Sequence, residues 1–252
     1  FTSLLDGTTF RNLALVRAVQ IILQDQLGQK FASANEADMS QSITSGYSSL
    51  ELQISGYSQN IDAFAKQVYE TVIEFQPSRF RFTAIKMFAL NQMANSEMMG
   101  VGMVSGMYLS QLIHTEEFPM KTFIDEVKQI YFDDLINFAT EFFSNVHVDI
   151  YGSGNIVRED VLKITGDVRS ALQRKYHSQP LHRNAIEFPK TVFLQPGDNI
   201  LHLTNDPKEP SGAALRYYQC GGSTTRNILV FNFLSHMMQE PLFDSLRTKQ
   251  QL

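Results

Sequence analysis

The sequence predicts an α+β fold, built as tandem homologous domains that each pack helices on one face of an antiparallel-type sheet. Three observations carry this. A stretch near the start recurs near the end at a constant offset. Segments with the two-residue alternation of strands are few and short. Longer segments with helical periodicity lie between them, so the strands are joined by helical excursions.

The recurring stretch reads GTTFRNLALVRAVQIILQDQL from Gly7 and GSTTRNILVFNFLSHMMQEPL from Gly222. Arg11 pairs with Arg226, Asn12 with Asn227, Gln24 with Gln239 and Leu27 with Leu242, all at an offset of 215 residues without a gap. Leu13, Val16, Val19 and Ile22 face Ile228, Phe231, Leu234 and Met237, and Asp25 faces Glu240. Chance readily matches two apolar helix faces. It does not readily match an Arg-Asn pair, a Gln-acid pair and a Gly-containing cap as well. The period is too long for a solenoid and points to tandem domains. The expected division is 1–184 for a first domain that starts in mid-strand, and 185–252 for the opening of a second, truncated one.

The elements follow in order. Leu13, Val16, Val19 and Leu23 mark one face of an amphipathic helix over about Phe10 to Gly28, with Thr residues ahead of it suited to capping. Ala32 to Ser45 is small and polar and reads as a loop or short turn. Leu50, Leu52 and Ile54 alternate with polar residues, as in a half-buried strand. Gly56-Tyr57-Ser58 turns the chain, and Asn60 caps a helix from Ile61 to Phe75. Pro77 and Ser78 open a helix through about Glu97. Helical pattern resumes over Tyr108 to Ile113, Phe123 to Ile130 and Leu135 to Phe143. Val146, Val148 and Ile150 read as a strand, Gly152 to Asn155 as a turn, and Arg158 to Lys175 as a helix. His177 to Asn184 is irregular, contains Pro180, and is the expected linker. Strands are expected at Val192 to Leu194, Ile200 to Leu203 and Leu215 to Tyr218, the last leading into the helix at Arg226.

Composition bounds the function. The 252 residues are 43% apolar and 19% charged, which is ordinary globular usage, and the net charge is −5. That balance argues against nucleic acid, whose phosphates call for a basic face. No run is apolar and long enough to cross a bilayer: Met98 to Leu109 is short and broken by Gly100, Gly102, Ser105 and Gly106. A single cysteine, Cys220, excludes an internal disulfide and fits a reducing, cytoplasmic setting.

Chemistry is sparse. The six histidines are His114, His147, His177, His182, His202 and His236, and no two share a spacing that brings ring nitrogens to one ion. His114 beside Glu116 and Glu117 reads as a solvated helix end. His147, on an apolar strand, reads as a satisfied, half-buried side chain. Cys220 precedes two glycines and reads as a small residue at a strand end. Gly100-x-Gly102 and Gly152-x-Gly154 complete no phosphate-loop pattern. Met98, Met99, Met103 and Met107 read as flexible core packing. No zinc is expected to be bound by this chain. One candidate remains: Arg247, whose counterpart in the first repeat is Ala32, so the repeat does not demand a cation there. From its residue type alone it is a surface arginine.

The run EPLFDSLRTKQQL, from Glu240 to Leu252, changes that. It resembles a segment in the non-catalytic half of the pitrilysin/insulysin/nardilysin group of zinc metallopeptidases, the inverzincins, which reads E-P-x-F-x-x-L-R-T-x-x-Q-L and continues Gly-Tyr. Glu240, Pro241, Phe243, Leu246, Arg247, Thr248, Gln251 and Leu252 all agree. LELQISGYSQN from Leu50, YGSGN from Tyr151 and ALRYYQ from Ala214 are similar to further segments of that family. The resemblance implies four homologous processing-peptidase-like domains, in two halves that close around a peptide. It implies zinc on an H-x-x-E-H helix of the first domain. This chain lacks that motif and corresponds to the third domain and the start of the fourth. It further implies that Arg247 binds substrate near the scissile bond. The expected partners are the N-terminal catalytic half of the same protein and a peptide substrate, with self-association through uncovered apolar surface. The other reading is a degenerate peptidase-like scaffold without activity, which an upstream half lacking H-x-x-E-H would favour.

Overall fold

The computed structural model of the chain describes residues 1–3, 9–96, 100–114, 119–186, 190–197 and 212–251. These residues fall into two compact units. The first runs from Phe1 to Phe193, and the second is made chiefly of Ala214 onward.

In the first unit β1 (Thr2–Ser3) precedes α1 (Phe10–Lys30), the central helix. Thr9 caps α1 by accepting from Asn12 N–H at 3.2 Å. Ala14, Leu15, Val16, Val19, Ile22, Leu23 and Leu27 line its buried side. A short helix α2 (Ala32–Glu36) leads to β2 (Ser40–Ser45), which pairs antiparallel with β3 (Leu50–Ser55), Ser40 opposite Ser55 and Ser45 opposite Leu50. The stretch 32–45 is therefore not the loop its polarity predicts. Only Gln41 and Ile43 of β2 are buried, so the strand shows no apolar alternation. It is held instead through its backbone. The groups of Ile43 that point away from β3 are both taken by α1: Gln20 Nε2 donates to its carbonyl at 2.8 Å, and Gln24 Oε1 accepts from its N–H at 2.9 Å. Side-chain amides thus satisfy an edge strand that would otherwise leave polar groups unpaired.

Helices α3 (Ile61–Glu74), α4 (Arg79–Ser96), α5 (Val101–Ile113), α6 (Met120–Gln129) and α7 (Phe132–Ser144) follow. They form where periodicity predicts helix, but α5 begins earlier, inside the glycine- and methionine-rich stretch. Met103 lies 63% exposed on it, so that residue is not core packing. Met98 and Met99 lie outside the described residues. β4 (Asn145–His147) pairs antiparallel with β1 and parallel with β5 (Gln179–Pro180), on either side of α8 (Arg158–Tyr176). A bridge between Thr2 and Ser49 ties the β2–β3 hairpin to β1. Val148 and Ile150 do not extend β4. The expected linker at 177–184 instead holds β5 and the start of a 3₁₀ turn (Arg183–Ala185), because Leu181 N–H donates to Val146 O at 3.2 Å and binds the segment to the sheet. Gly154, at φ 101°, makes the turn before α8 in a conformation that glycine alone adopts without strain.

The core joins these layers. Phe143 at the end of α7 meets Phe1 and Phe142 edge-on and stacks on Tyr176 at 5.2 Å, and the Tyr176 hydroxyl donates to Ile73 O at 2.8 Å. Ion pairs rim it. Arg11 on α1 reaches Asp134 in the first turn of α7 at 3.0 Å, and the Arg81 guanidinium on α4 grips Asp25 on α1, its Nε at 2.7 Å.

The second unit holds α9 (Thr225–Phe243) and a wide turn of π type (Asp244–Lys249). Leu215 to Tyr218 does not form the expected strand: among the described residues no strand stands beside it to supply a ladder. At Val192 to Leu194 there is only a bridge between Thr191 and His114, and Ile200 to Leu203 lies outside the described residues.

Candidate functional site

The site is the far end of α9, and its position is set at the near end. Gly221 turns the chain at φ 70°. Thr224 then caps α9 by accepting from Asn227 N–H at 3.2 Å, and Asn227 Nδ2 donates to Gly222 O at 2.9 Å. The cap repeats that of α1 residue for residue: Thr9 and Asn12 there, Thr224 and Asn227 here, with the same 3.2 Å bond. Cys220, exposed just before this turn, sits at no strand end.

α9 then carries Pro241 within its last turn. Proline has no N–H and crowds the preceding turn, so the ladder loses the bond from position 241 back to Met237. Beyond Phe243 the turns widen. Asp244 N–H is shared between Glu240 O and Pro241 O, and Gln250 N–H reaches five residues back to Ser245 O at 3.2 Å. Single wide turns of this kind are rare and concentrate at functional sites. The turn ends at Gln251, a non-glycine residue at φ 56°.

Arg247 sits in the middle of this widened turn with its side chain exposed. Its neighbours leave it free. Asp244, the carboxylate nearest in sequence, pairs with Lys249 Nζ at 2.7 Å. To no other described residue does Arg247 make a hydrogen bond or an ion pair. Ala32, its counterpart, is an exposed residue of α2 in the first unit. The wide turn and the Lys249–Asp244 pair escape the sequence reading, although Pro241 near a helix end is the signal for the first.

Two histidines are engaged elsewhere. His147 bridges β4 to the following segment, Nδ1 to Leu181 O at 3.0 Å and Nε2 to Asp149 Oδ1 at 3.1 Å, as its half-buried strand position predicts. His182 Nδ1 accepts from Asn184 N–H at 3.2 Å. Among the described residues no three His, Cys, Asp or Glu side chains are grouped to hold a metal ion, so they do not fit zinc. Glu116 and Glu117 beside His114 lie outside the described residues. Among the described residues no helix is long and apolar enough to cross a membrane.

Comparison with known proteins gives two adjoining matches. Residues 1–126 match the family model described as the middle or third domain of peptidase M16, and residues 129–252 match the one described as the peptidase M16 inactive domain. Insulin-degrading enzyme of Drosophila melanogaster is 25% identical over 242 residues, covering 96% of this chain and 24% of the relative. A nardilysin-like protein of Arabidopsis thaliana is 23% identical over 247 residues, covering 96% and 24%. A Caenorhabditis elegans protein named as a zinc protease is 18% identical over 243 residues, covering 96% and 28%. The chain thus spans about a quarter of the length of the curated relatives it matches.

Proposed function

The chain belongs to the peptidase M16 family, and from that premise we propose that it is the non-catalytic part of a zinc metalloendopeptidase, enclosing peptide substrates and positioning them against a zinc site in an N-terminal catalytic half of the same protein. In this reading the two units are tandem processing-peptidase-like domains, and zinc belongs to the parent rather than to this chain. Relatives named as zinc proteases and the match to the inactive domain support it.

The observation that carries the reading is Arg247. A guanidinium offers a rigid planar fork of donors that suits a carbonyl oxygen or a carboxylate. Here it stands exposed on a wide turn while the nearby Asp244 is taken by Lys249. Among the described residues it makes no hydrogen bond or ion pair, which leaves it available to a ligand. Its role would be to hold a peptide backbone carbonyl and to stabilise the negative charge that oxygen gains as the bond is attacked.

The test is the parent protein with Arg247→Ala. Loss of one such donor costs turnover on the order of 10²–10³, and the melting temperature should stay nearly unchanged. Arg247→Lys should restore activity only in part, because a point charge cannot reproduce the fork. An alanine variant that melts several degrees lower yet keeps full turnover per folded molecule would make the arginine structural and refute the assignment.

A further inference from the structure

The register of the wide turn decides which cation Asp244 meets. In a regular helix each residue is turned about 100° from the last, so residue i+3 stands roughly 60° round from residue i, and i+5 roughly 140°. Side chains three or four apart are therefore neighbours. Continued in that register, the chain would set Arg247 beside Asp244 and point Lys249 away. The π-type turn reverses this. It closes through Gln250 N–H, which reaches five residues back to Ser245 O at 3.2 Å, and residues five apart then stack. Lys249 Nζ accordingly donates to Asp244 Oδ2 at 2.7 Å, and among the described residues Arg247 makes no ion pair. The first repeat supplies a second observation. At the 215-residue offset Asp244, Arg247 and Lys249 face Gln29, Ala32 and Ala34. All three charges are absent there together, and Ala32 and Ala34 lie on the regular helix α2.

We propose that Lys249 is a positioning residue: it occupies the Asp244 carboxylate, so that Arg247 stays open to the peptide. The pair is 71% exposed at Lys249 and 49% at Asp244, so it adds little to stability. Its consequence is the choice of partner. Without Lys249, the Asp244 carboxylate stands within one turn of the arginine, and a carboxylate is a group that a guanidinium recognises. Relaxation of the turn to the regular register brings the two together, and an internal anion then competes with the peptide. The inference rests on the proposed role of Arg247 and deepens it. The peptide is bound only by molecules whose arginine is free, and the apparent affinity falls by that fraction. Substrate at saturation draws the arginine back, so the rate of the bound complex is unaffected.

The experiment is steady-state kinetics of the full-length parent on an internally quenched fluorogenic peptide, with kcat and KM read separately. Lys249→Ala should raise KM about two- to sixfold, the factor by which an exposed ion pair sequesters the arginine, and leave kcat near that of the parent. Lys249→Arg should keep the parental KM. Asp244→Asn in the Lys249→Ala background should restore it, because the competing charge is gone. An unchanged KM in Lys249→Ala would overturn the inference. So would a raised KM that Asp244→Asn fails to restore, since Lys249 would then touch the peptide itself or support the turn. Arg247→Ala separates the two levels. Lost turnover beside either of those results leaves the proposed function standing and removes this inference alone. Unimpaired turnover removes the proposed role of Arg247, and this inference with it.

Discussion

At the scale of the residue, charge is placed on the rim of the core rather than in it. The Arg81 guanidinium beside Asp25 holds that carboxyl below its ordinary value of 3.8, against a smaller opposing effect of burial. A carboxylate whose folded value is depressed contributes stability that is complete above its unfolded value and is lost as pH falls through the folded one. The wild-type chain should therefore lose stability more steeply below about pH 4 than Asp25→Asn does. Superimposable acid-unfolding curves would show the pair to be silent, as many exposed pairs are. Lys86 behaves differently. Desolvation lowers its value, yet it donates to the carbonyls of both Lys128 and Ile130 at 2.7 Å and closes the end of α6. Lone polar residues such as Arg11, Gln24 and Asp25 were legible as matched letters in two repeats. Their work was not legible, because their partners lie far away in sequence.

At the scale of the element, helices were legible and strands only in part: β3 follows from the alternation of Leu50, Leu52 and Ile54, whereas β2 shows why another strand does not. A helix writes its burial into its own sequence every three or four residues, so α1, α3, α6 and α7 follow from Leu, Val and Phe spacing. β2 writes almost nothing: Ile43 is its one buried apolar residue, and its place depends on β3 and on Gln20 and Gln24 of α1. The converse holds for Val148, Ile150 and Leu215 to Tyr218, which look like strands and form none, since a ladder needs a neighbour. Leu23 tests the central helix. It is fully buried at the middle of α1, and Leu23→Ala should destabilise the first unit by about 2–5 kcal/mol in denaturant unfolding. A change below about 0.5 kcal/mol, the range of an ordinary surface substitution, would mean that α1 is not the core helix.

At the scale of the whole molecule, the two units differ in how much they cover. The first buries seven residues of α1, whereas among the described residues the second buries none of α9. Hydrogen exchange on the 252-residue chain should therefore find α9 amides markedly less protected than those of α1. The bare face should also promote association at rising concentration. Equal protection in a strictly monomeric sample would contradict both. The tail motif was legible in the sequence letter by letter, but the geometry around Arg247 was not: it depends on the wide turn at Asp244–Lys249 and on Lys249 taking Asp244. On the proposed function, this turn faces a peptide in the full-length protein. The most direct measurement is a photoreactive side chain installed at position 247 of the full-length protein and irradiated with a labelled peptide substrate. The expected result is a cross-link to the peptide that excess unlabelled peptide suppresses. Absence of a cross-link, or one that the competitor leaves unchanged, would contradict it.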